Sequence, residues 1–256
     1  MAKDNTELEK MKMLEDRIKA PSIWGRLPCG IRFEDLQDRR YDDAVRLLKK
    51  HYLTEDGELT YRSMKIINDK EGTDEFVHNV RIWMKDKMSI AAVKEGTDKL
   101  IGVLIMRIQE KNAFSRTFSR VKLTHNPLYA TVMKFYNEIE KPVNVFEALQ
   151  VRRYFKIYIL ALKSRYRHRG LAKEFIKAAI NLSSSANVPA LAGIFTTSRA
   201  QTIATEIGFV KLHEIYYIRY LIDGEIVFFD TGLGNYGAAM MAYRIPDIEE
   251  VQEVLA

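Results

Sequence analysis

Apolar residues recur with two different periods along this chain, which indicates a mixture of helices and strands. Helical spacing predicts helices over residues 38–51, 58–67, 74–88, 127–140 and 171–186, with a further helix that ends at Gly208. Apolar runs predict strands over residues 24–33, 89–93, 100–108, 154–162, 189–195, 215–220 and 238–244. Strands and helices alternate through the second half of the chain, which is typical of a mixed α/β (α+β) fold.

The predicted elements form one large domain with two short ends. Residues 1–22 place Leu8, Met11, Leu14 and Ile18 at helical spacing among charges, so they predict an amphipathic helical extension. Residues 23–246 contain no linker or repeat that would separate two domains, and residues 247–256 remain as a tail. A length of 256 residues fits a single domain with a substantial buried core.

Composition narrows the class of protein. Hydrophobic residues make up 47% and charged residues 29% of the chain, so general disorder is not expected. The charged first twenty residues do not resemble a secretory signal, and no long apolar run suggests a membrane span, so we expect a cytoplasmic protein. A single cysteine excludes an intramolecular disulfide, and no spacing of His, Cys or carboxylate residues suggests a metal site.

The net charge of +6 suits a polyanionic small molecule, a nucleic acid or an anionic membrane surface, and an inert basic surface is equally compatible with it. The basic residues do not interleave with aromatic residues as a nucleic-acid stacking platform requires. We therefore expect neither a nucleic-acid nor a membrane partner.

A basic turn with the sequence RHRGLA, residues 167–172, lies between the predicted strand 154–162 and the predicted helix 171–186. Free backbone N–H groups at the start of a helix and its dipole attract phosphate oxygens, and Gly170 allows a close approach. Arg165, Arg167, Arg169 and Lys173 add positive charge that favours a pyrophosphate. Without the flanking strand and helix, the same letters would indicate only a solvated basic turn.

Two better-known phosphate motifs do not account for this chain. The GxxxxGK[ST] loop does not occur in it. GLGNYG at residues 232–237 has the letters of a dinucleotide motif but precedes a strand, so we interpret it as a loop.

The Arg-x-x-Gly-x-Ala arrangement at residues 167–172 resembles motif A of the GNAT acetyltransferases, and residues 206–209, EIGF, resemble the second characteristic block of that fold. Residues 144–146, NVF, and 224–228, GEIVF, are similar to segments of the insect arylalkylamine N-acetyltransferases. The resemblance covers roughly residues 28–245. It implies the GNAT fold, with a mixed central sheet of about six to seven strands flanked by helices.

The resemblance also implies acetyl-CoA as co-substrate, held by a pair of strands that spread apart. It assigns the backbone of Leu160, Ala161 and Leu162 to the pantetheine arm. It assigns the pyrophosphate to the turn that comprises Arg167, His168, Arg169, Gly170, Leu171, Ala172 and Lys173.

The insect enzymes that this chain resembles carry a catalytic glutamate in a Glu-Pro-Leu pattern after their first long helix. The matching stretch here is TEDGEL, residues 54–59, in which the resemblance aligns Asp56 with that glutamate. Glu55 or Glu58 could replace Asp56 after a small shift, and all three acids could instead be ordinary turn and helix-start residues. Of the family's two substrate-site serines, one falls on Thr196 and the other on Ala200.

The resemblance therefore implies an N-acetyltransferase that transfers acetyl directly to a small, arylalkyl type of amine in a ternary complex, and we expect a monomer. Helices that carry Tyr61, Phe76 and Trp83 would help to form the acceptor pocket, although aromatic residues at this spacing are more often core. Two alternatives remain: the same chemistry on a polyamine, amino acid or protein amine, and a CoA-binding protein that has lost catalysis.

Overall fold

The computed structural model describes residues 21–111, 124–246 and 248. The predicted extension at residues 1–22 and the tail at 247–256 lie almost entirely outside the described residues. The helices are α1 (Tyr41–His51), α2 (Leu59–Ser63), α3 (Lys70–Met84), α4 (Pro127–Glu140), α5 (Val145–Ala148), α6 (Leu171–Ser185) and α7 (Ser198–Ile207).

Ten strands are described, and eight of them form one sheet in the order β1-β2-β3-β4-β5-β6-β10-β7. They are β1 (Ile23–Leu27), β2 (Ile31–Asp35), β3 (Ile90–Lys94), β4 (Lys99–Glu110), β5 (Arg153–Leu162), β6 (Ala190–Phe195), β7 (Val210–Tyr216), β8 (Leu221–Ile222), β9 (Glu225–Ile226) and β10 (Gly237–Arg244). Strands β8 and β9 form a separate small pair. All neighbours in the large sheet are antiparallel except β5 and β6.

The sheet has more strands than the six to seven expected, and two predicted strands need correction. The predicted strand 24–33 is an antiparallel hairpin, because Gly30 with φ of 75° turns the chain between β1 and β2. The predicted strand 215–220 is displaced: β7 ends at Tyr216 and a 3-10 turn, Tyr217–Arg219, follows. Most β7 side chains at this sheet edge are half-buried or exposed, so they lack the apolar alternation that marks a strand.

Helices cover both faces of the sheet. On one face, α6 and α7 pack over a core that includes Phe33 and Phe175, whose ring centroids lie 4.9 Å apart. On the other face, α1, α3 and α4 enclose a core that includes Phe76 and Tyr129. The apolar faces of α1, α3, α4 and α6 therefore pack against the sheet.

Strands β5 and β6 pair over only three residue pairs, from Phe155–Leu191 to Ile157–Gly193. Beyond Ile157, β5 continues to Leu162 with β4 on one side and no strand partner on the other side in the described structure. A bulge at Tyr158 marks this point, because Ile157 and Ile159 oppose the adjacent residues Met106 and Ile105 of β4. The sheet consequently opens in its middle, between β5 and the end of β6.

The last contact before the opening requires glycine at position 193. A Cβ on Gly193 would lie 3.0 Å from the Ile157 Cβ and 3.1 Å from the Ile157 carbonyl oxygen. We expect Gly193→Ala to lower the free energy of unfolding by about 1–2 kcal/mol, because the added methyl pushes the two strands apart. Denaturant unfolding measures this change.

Gly25→Ala in strand β1 provides the matched control. The nearest atom to its added Cβ would be in the Phe33 ring, at an ordinary contact distance of 3.5 Å. The control should change stability by no more than about 0.5 kcal/mol. Equal unfolding curves for the two variants would contradict a steric requirement at Gly193.

Candidate active site

A cavity of about 340 Å³ occupies the opening between β5 and β6. It is continuous from the turn before α6, through the sheet, to helices α2, α3 and α4 on the opposite face. Its lining includes Glu58, Tyr61, Trp83, Tyr136, Glu140, Lys156, Tyr158, Leu160, Leu162, Arg167, His168, Gly170, Leu171, Ala172, Thr196 and Arg199. We call the part near α6 and α7 the donor half, and the part near α2, α3 and α4 the acceptor half.

The start of α6 presents free amide donors to the donor half. Gly170 is the N-cap residue, with φ of 77°, and no side chain caps the helix. Within the described residues, no acceptor bonds the amides of Gly170, Leu171 or Ala172. A Cβ at Gly170 would meet no atom within 4 Å, so this glycine is needed for its left-handed backbone rather than for close packing. The turn therefore has the donor set that binds phosphate oxygens.

Arg167 is engaged by the protein itself. Its Nε donates to the Leu162 carbonyl at 3.3 Å, and its Nη1 and Nη2 donate to the carbonyls of Asp56 and His51. The side chain lines the cavity, but its donors tie the end of β5 to the segment that follows α1. Arg167 thus fixes the position of residues 51–56 relative to the phosphate turn.

The other basic residues predicted for the turn lie farther out. Arg169 and Lys173 do not line the cavity, and the Lys173 Nζ pairs with Glu206 Oε2 at 2.8 Å. Arg199, near the start of α7, does line it. Sequence reasoning missed Arg199 because it stands outside the RHRGLA motif, on an exposed helix turn that only the fold brings near Gly170.

The bulge at Tyr158 divides β5 between the two halves of the cavity. Leu160 and Leu162 face the α6 side and line the donor half. Ala161 packs in the core on the opposite face and contributes only backbone to this region. Because no described strand pairs with this edge of β5 beyond Ile157, the backbone predicted to hold an extended arm is available for pairing within the described structure.

Among the three acids of the TEDGEL segment, Glu58 is the one that lines the cavity. Its Oε2 accepts from the Thr60 amide at 3.0 Å, the Thr60 hydroxyl at 2.6 Å and the Tyr61 amide at 3.2 Å, which caps α2. Its Oε1 is buried and has no hydrogen-bond partner among the described residues. One carboxylate oxygen is thus fixed while the other remains free to accept a proton.

Asp56 and Glu55 are both exposed and do not line the cavity. Asp56 contributes its backbone carbonyl to Arg167 instead. The structure brings together the phosphate turn, Thr196 and Glu58, and it leaves the carboxylates of Asp56 and Glu55 outside the group.

Gly57 explains how Glu58 reaches the cavity. The Gly57 amide donates to Thr54 O and the Glu58 amide donates to Tyr52 O, both at 2.7 Å. A Cβ on Gly57 would lie 2.0 Å from the Tyr52 carbonyl oxygen, so any other residue would open this turn. Gly57 therefore directs the chain so that the following residue points inward.

Three tyrosines surround Glu58 at the boundary of the two halves: Tyr52 and Tyr61 are buried, and Tyr136 is half-buried. Burial raises the pKa of Tyr52, Tyr61 and Tyr136 well above the ordinary tyrosine value, and the negative charge of Glu58 raises each further. The Tyr136 hydroxyl shares a 2.7 Å hydrogen bond with the Thr60 hydroxyl. All three side chains consequently stay as neutral phenols near neutral pH.

Thr196 lines the cavity, whereas the neighbouring hydroxyls have structural roles. The Thr197 Oγ1 accepts from the Ala200 amide at 3.2 Å and caps α7, and the Ser198 hydroxyl donates to the Gly234 carbonyl. The buried Tyr217 hydroxyl donates to the Thr196 carbonyl at 2.6 Å, which orients the segment.

Aromatic and charged side chains form the acceptor half. Tyr61 and Trp83 line it as the sequence suggested, while Phe76 is fully buried in the core. The Trp83 indole stacks on Tyr158, with centroids 4.5 Å apart and planes 23° from parallel. Sequence reasoning missed Tyr136, Glu140, Lys156 and Tyr158, because a stripe on α4 and a bulged strand place them together only in the folded chain.

Solved structures share this architecture. A putative arylalkylamine N-acetyltransferase 7 from the yellow fever mosquito Aedes aegypti superposes with a TM-score of 0.77 at 23% identity, over 88% of this chain and 95% of its own. Arylalkylamine N-acetyltransferase 2 from Aedes aegypti gives a TM-score of 0.73 at 24% identity, and the match covers 84% of this chain and 99% of the mosquito chain. The chain has the GNAT fold. The fold predicted from the RHRGLA turn and its flanking elements is confirmed.

The same GNAT fold occurs in a polyamine N-acetyltransferase from Drosophila melanogaster. It superposes with a TM-score of 0.66 at 11% identity, and the match covers 84% of this chain and 100% of the Drosophila chain.

No family model and no curated protein sequence matches the chain. In residues 21–111 and 124–246, no three or more His, Cys, Asp or Glu side chains group as around a metal ion. No helix of these ranges is long and apolar enough to cross a membrane.

The Arg167 contacts generate a prediction about local stability. Arg167→Lys keeps the charge, but an ammonium cannot span three carbonyls as the guanidinium does. Hydrogen bonds from charged groups contribute about 1.5–3 kcal/mol, so we expect exchange protection of the Gly57 and Glu58 amides to fall about tenfold or more. Hydrogen exchange read by NMR measures this loss.

Arg165→Lys on the same turn is the control, since its exposed guanidinium lies over the Tyr166 ring, 5.1 Å from the centroid. It should leave the protection of both amides unchanged. If Arg167→Lys also leaves them unchanged, Arg167 does not hold this segment.

Proposed function

We propose that this protein is an acetyl-CoA-dependent N-acetyltransferase that acts on a small amine by direct transfer in a ternary complex. One observation carries the proposal. A single cavity joins the free amides at the start of α6 to the free Glu58 carboxylate oxygen through the opening in the sheet. A donor and an acceptor that enter from opposite faces would meet in this opening.

The donor half fits acetyl-CoA. The amides of Gly170, Leu171 and Ala172 are the proposed pyrophosphate ligands, because a helix start favours anions through both its free N–H groups and its dipole. The unpartnered edge of β5 beyond Ile157 would pair with the pantetheine amides, and Leu160 and Leu162 would cover its apolar atoms. Arg199 and His168 add donors at the mouth of this half.

Glu58 is the proposed general base. Alkylamines are protonated near neutral pH, and nitrogen must lose a proton before it can attack the thioester carbonyl. The free Oε1 of Glu58 can accept that proton while Oε2 stays fixed by α2, so the carboxylate need not move during transfer. Attack of the nitrogen forms the amide C–N bond as the C–S bond breaks, and the second proton that the nitrogen loses is taken up by the departing CoA thiolate, which leaves as the thiol.

The aromatic lining supports an arylalkyl acceptor. Trp83, Tyr136 and Tyr158 present ring surfaces to the acceptor half, and aromatic rings pack favourably on one another in stacked or edge-on geometry. The proteins with this fold named above are described as a putative arylalkylamine N-acetyltransferase, an arylalkylamine N-acetyltransferase and a polyamine N-acetyltransferase.

Glu58→Gln tests the base. We expect kcat for acetylation of tyramine to fall at least about 100-fold near neutral pH, because the amide cannot accept the proton. The deficit should shrink as the pH rises toward the pKa of the amine, since more of the acceptor is then already neutral. Thiol release followed across a pH series measures both effects.

Asp56→Asn is the matched control and should retain activity within a few-fold. Acetyl-CoA should raise the melting temperature of the wild type and of both variants, because donor binding does not involve either carboxylate. A large loss in Asp56→Asn with full activity in Glu58→Gln would transfer the base role to Asp56. Absence of stabilisation by acetyl-CoA would contradict the proposed enzyme altogether.

A further inference from the structure

The acceptor half contains an ion pair between Glu140 and Lys156 that the transfer chemistry does not use. Resting on the proposed function, we propose that this pair sets acceptor specificity: it leaves one uncompensated carboxylate in the acceptor half, matches the cavity to a monoamine, and excludes diamines and polyamines.

The placement of Glu140 follows from the helix period. Met133, Tyr136, Asn137 and Glu140 are spaced i, i+3, i+4 and i+7 on α4 and all line the cavity. Tyr136 lies beside Glu58 through the shared Thr60 hydroxyl, and Glu140 lies about one helical turn, ~5.4 Å along the axis, farther on. The acceptor half therefore has one carboxylate near its reacting end and a second, partly exposed one about a helical turn away.

Lys156 reaches Glu140 from the strand on the other side of the cavity. Its Nζ lies 2.6 Å from Oε1 and from Oε2 of Glu140, and 4.9 Å from the centroid of the Tyr158 ring. The two carboxylate oxygens and the ring face together account for the directions of its three N–H donors. Lys156 consequently serves to neutralise Glu140 and is not a free donor for a substrate.

The charged side chain next to Lys156 in the sheet also has a partner of opposite charge. Arg107, the cross-strand neighbour of Lys156 on β4, pairs with Asp86 at 2.5 Å and does not line the cavity. Glu58 has no cation within 4.0 Å in the described structure. The acceptor half thus carries one net negative charge near the reaction centre, where the acceptor amine must lie.

This balance distinguishes two classes of acceptor. A monoamine places its single cation beside Glu58 and its apolar part against Trp83 and Tyr158. A diamine must also place a second ammonium next to Lys156, and an uncompensated cation beside a like charge in a mostly apolar cavity is costly. Without Lys156, Glu140 would receive that second ammonium, so the same cavity would suit a diamine.

Charge substitutions test the proposal. We measure kcat/KM for 2-phenylethylamine and for 1,4-diaminobutane with the wild type, Lys156→Met, Lys156→Arg and the double variant Lys156→Met with Glu140→Gln. Lys156→Met frees the Glu140 carboxylate, so the ratio of diamine to monoamine kcat/KM should rise about tenfold or more. Lys156→Arg keeps the pair and should keep the wild-type ratio.

The double variant separates charge from shape. It has the same shortened side chain as Lys156→Met but no free carboxylate, so its ratio should return to within a few-fold of the wild type. An unchanged ratio in Lys156→Met overturns the proposal, and so does an equal rise in the single and double variants. If Lys156→Met does not fold, Glu140→Gln decides the question. In this variant the Lys156 ammonium loses its carboxylate partner, so kcat/KM should fall further for the diamine than for the monoamine. Equal effects on the two amines overturn the proposal.

Failure of the proposed function has a different signature. If the wild type acetylates neither amine, the enzyme assignment fails, and calorimetric titration of both amines into the CoA complex then decides the specificity proposal. Lys156→Met should gain affinity for 1,4-diaminobutane relative to 2-phenylethylamine by the same factor. Equal relative affinities in the wild type and the variant would contradict it.

Discussion

The early end of pairing between β5 and β6 determines nearly every functional feature of this molecule. Three residue pairs hold the strands together, and the close contact of Gly193 with Ile157 is the last of them. If the ladder continued, side chains and hydrogen bonds would fill the space that is now a cavity, and the two faces of the sheet would not communicate. The break also leaves one edge of β5 available in the interior, where an unpaired strand edge is otherwise unfavourable.

Hydrogen bonds from Arg167 hold the two halves of the cavity in a fixed relative position. Arg167 belongs to the turn before α6, yet its donors bind the end of β5 and the segment that leads to Glu58. The phosphate turn and the proposed base therefore share one rigid attachment, although Gly170 lies 112 positions after Glu58, which is more than a third of the chain length. A small domain can keep two distant chain segments in fixed relation when one guanidinium satisfies several carbonyls.

The sequence predicted the parts of the site that depend on local order. A buried strand, a basic glycine turn and an amphipathic helix follow one another, so the phosphate turn could be found without the fold. The choice among Glu55, Asp56 and Glu58 could not be made in this way. They lie within four residues, and hydrogen bonds from Gly57 and Glu58 to Thr54 and Tyr52 decide which one turns inward. Lys156 and Glu140 were inaccessible to sequence reasoning because only tertiary packing pairs them.

The bulge at Tyr158 adds one residue to β5 and so reverses the side of the sheet to which alternate side chains point after it. Ahead of it, Lys156 and Tyr158 face the acceptor helices, and after it Leu160 and Leu162 face α6. In a regular strand, these four even-numbered positions would share one side. A single strand can therefore serve two binding partners with separate sets of side chains. Under the proposed function, acceptor preference can diversify through substitutions upstream of the bulge while Leu160 and Leu162, which face the donor half, stay unchanged.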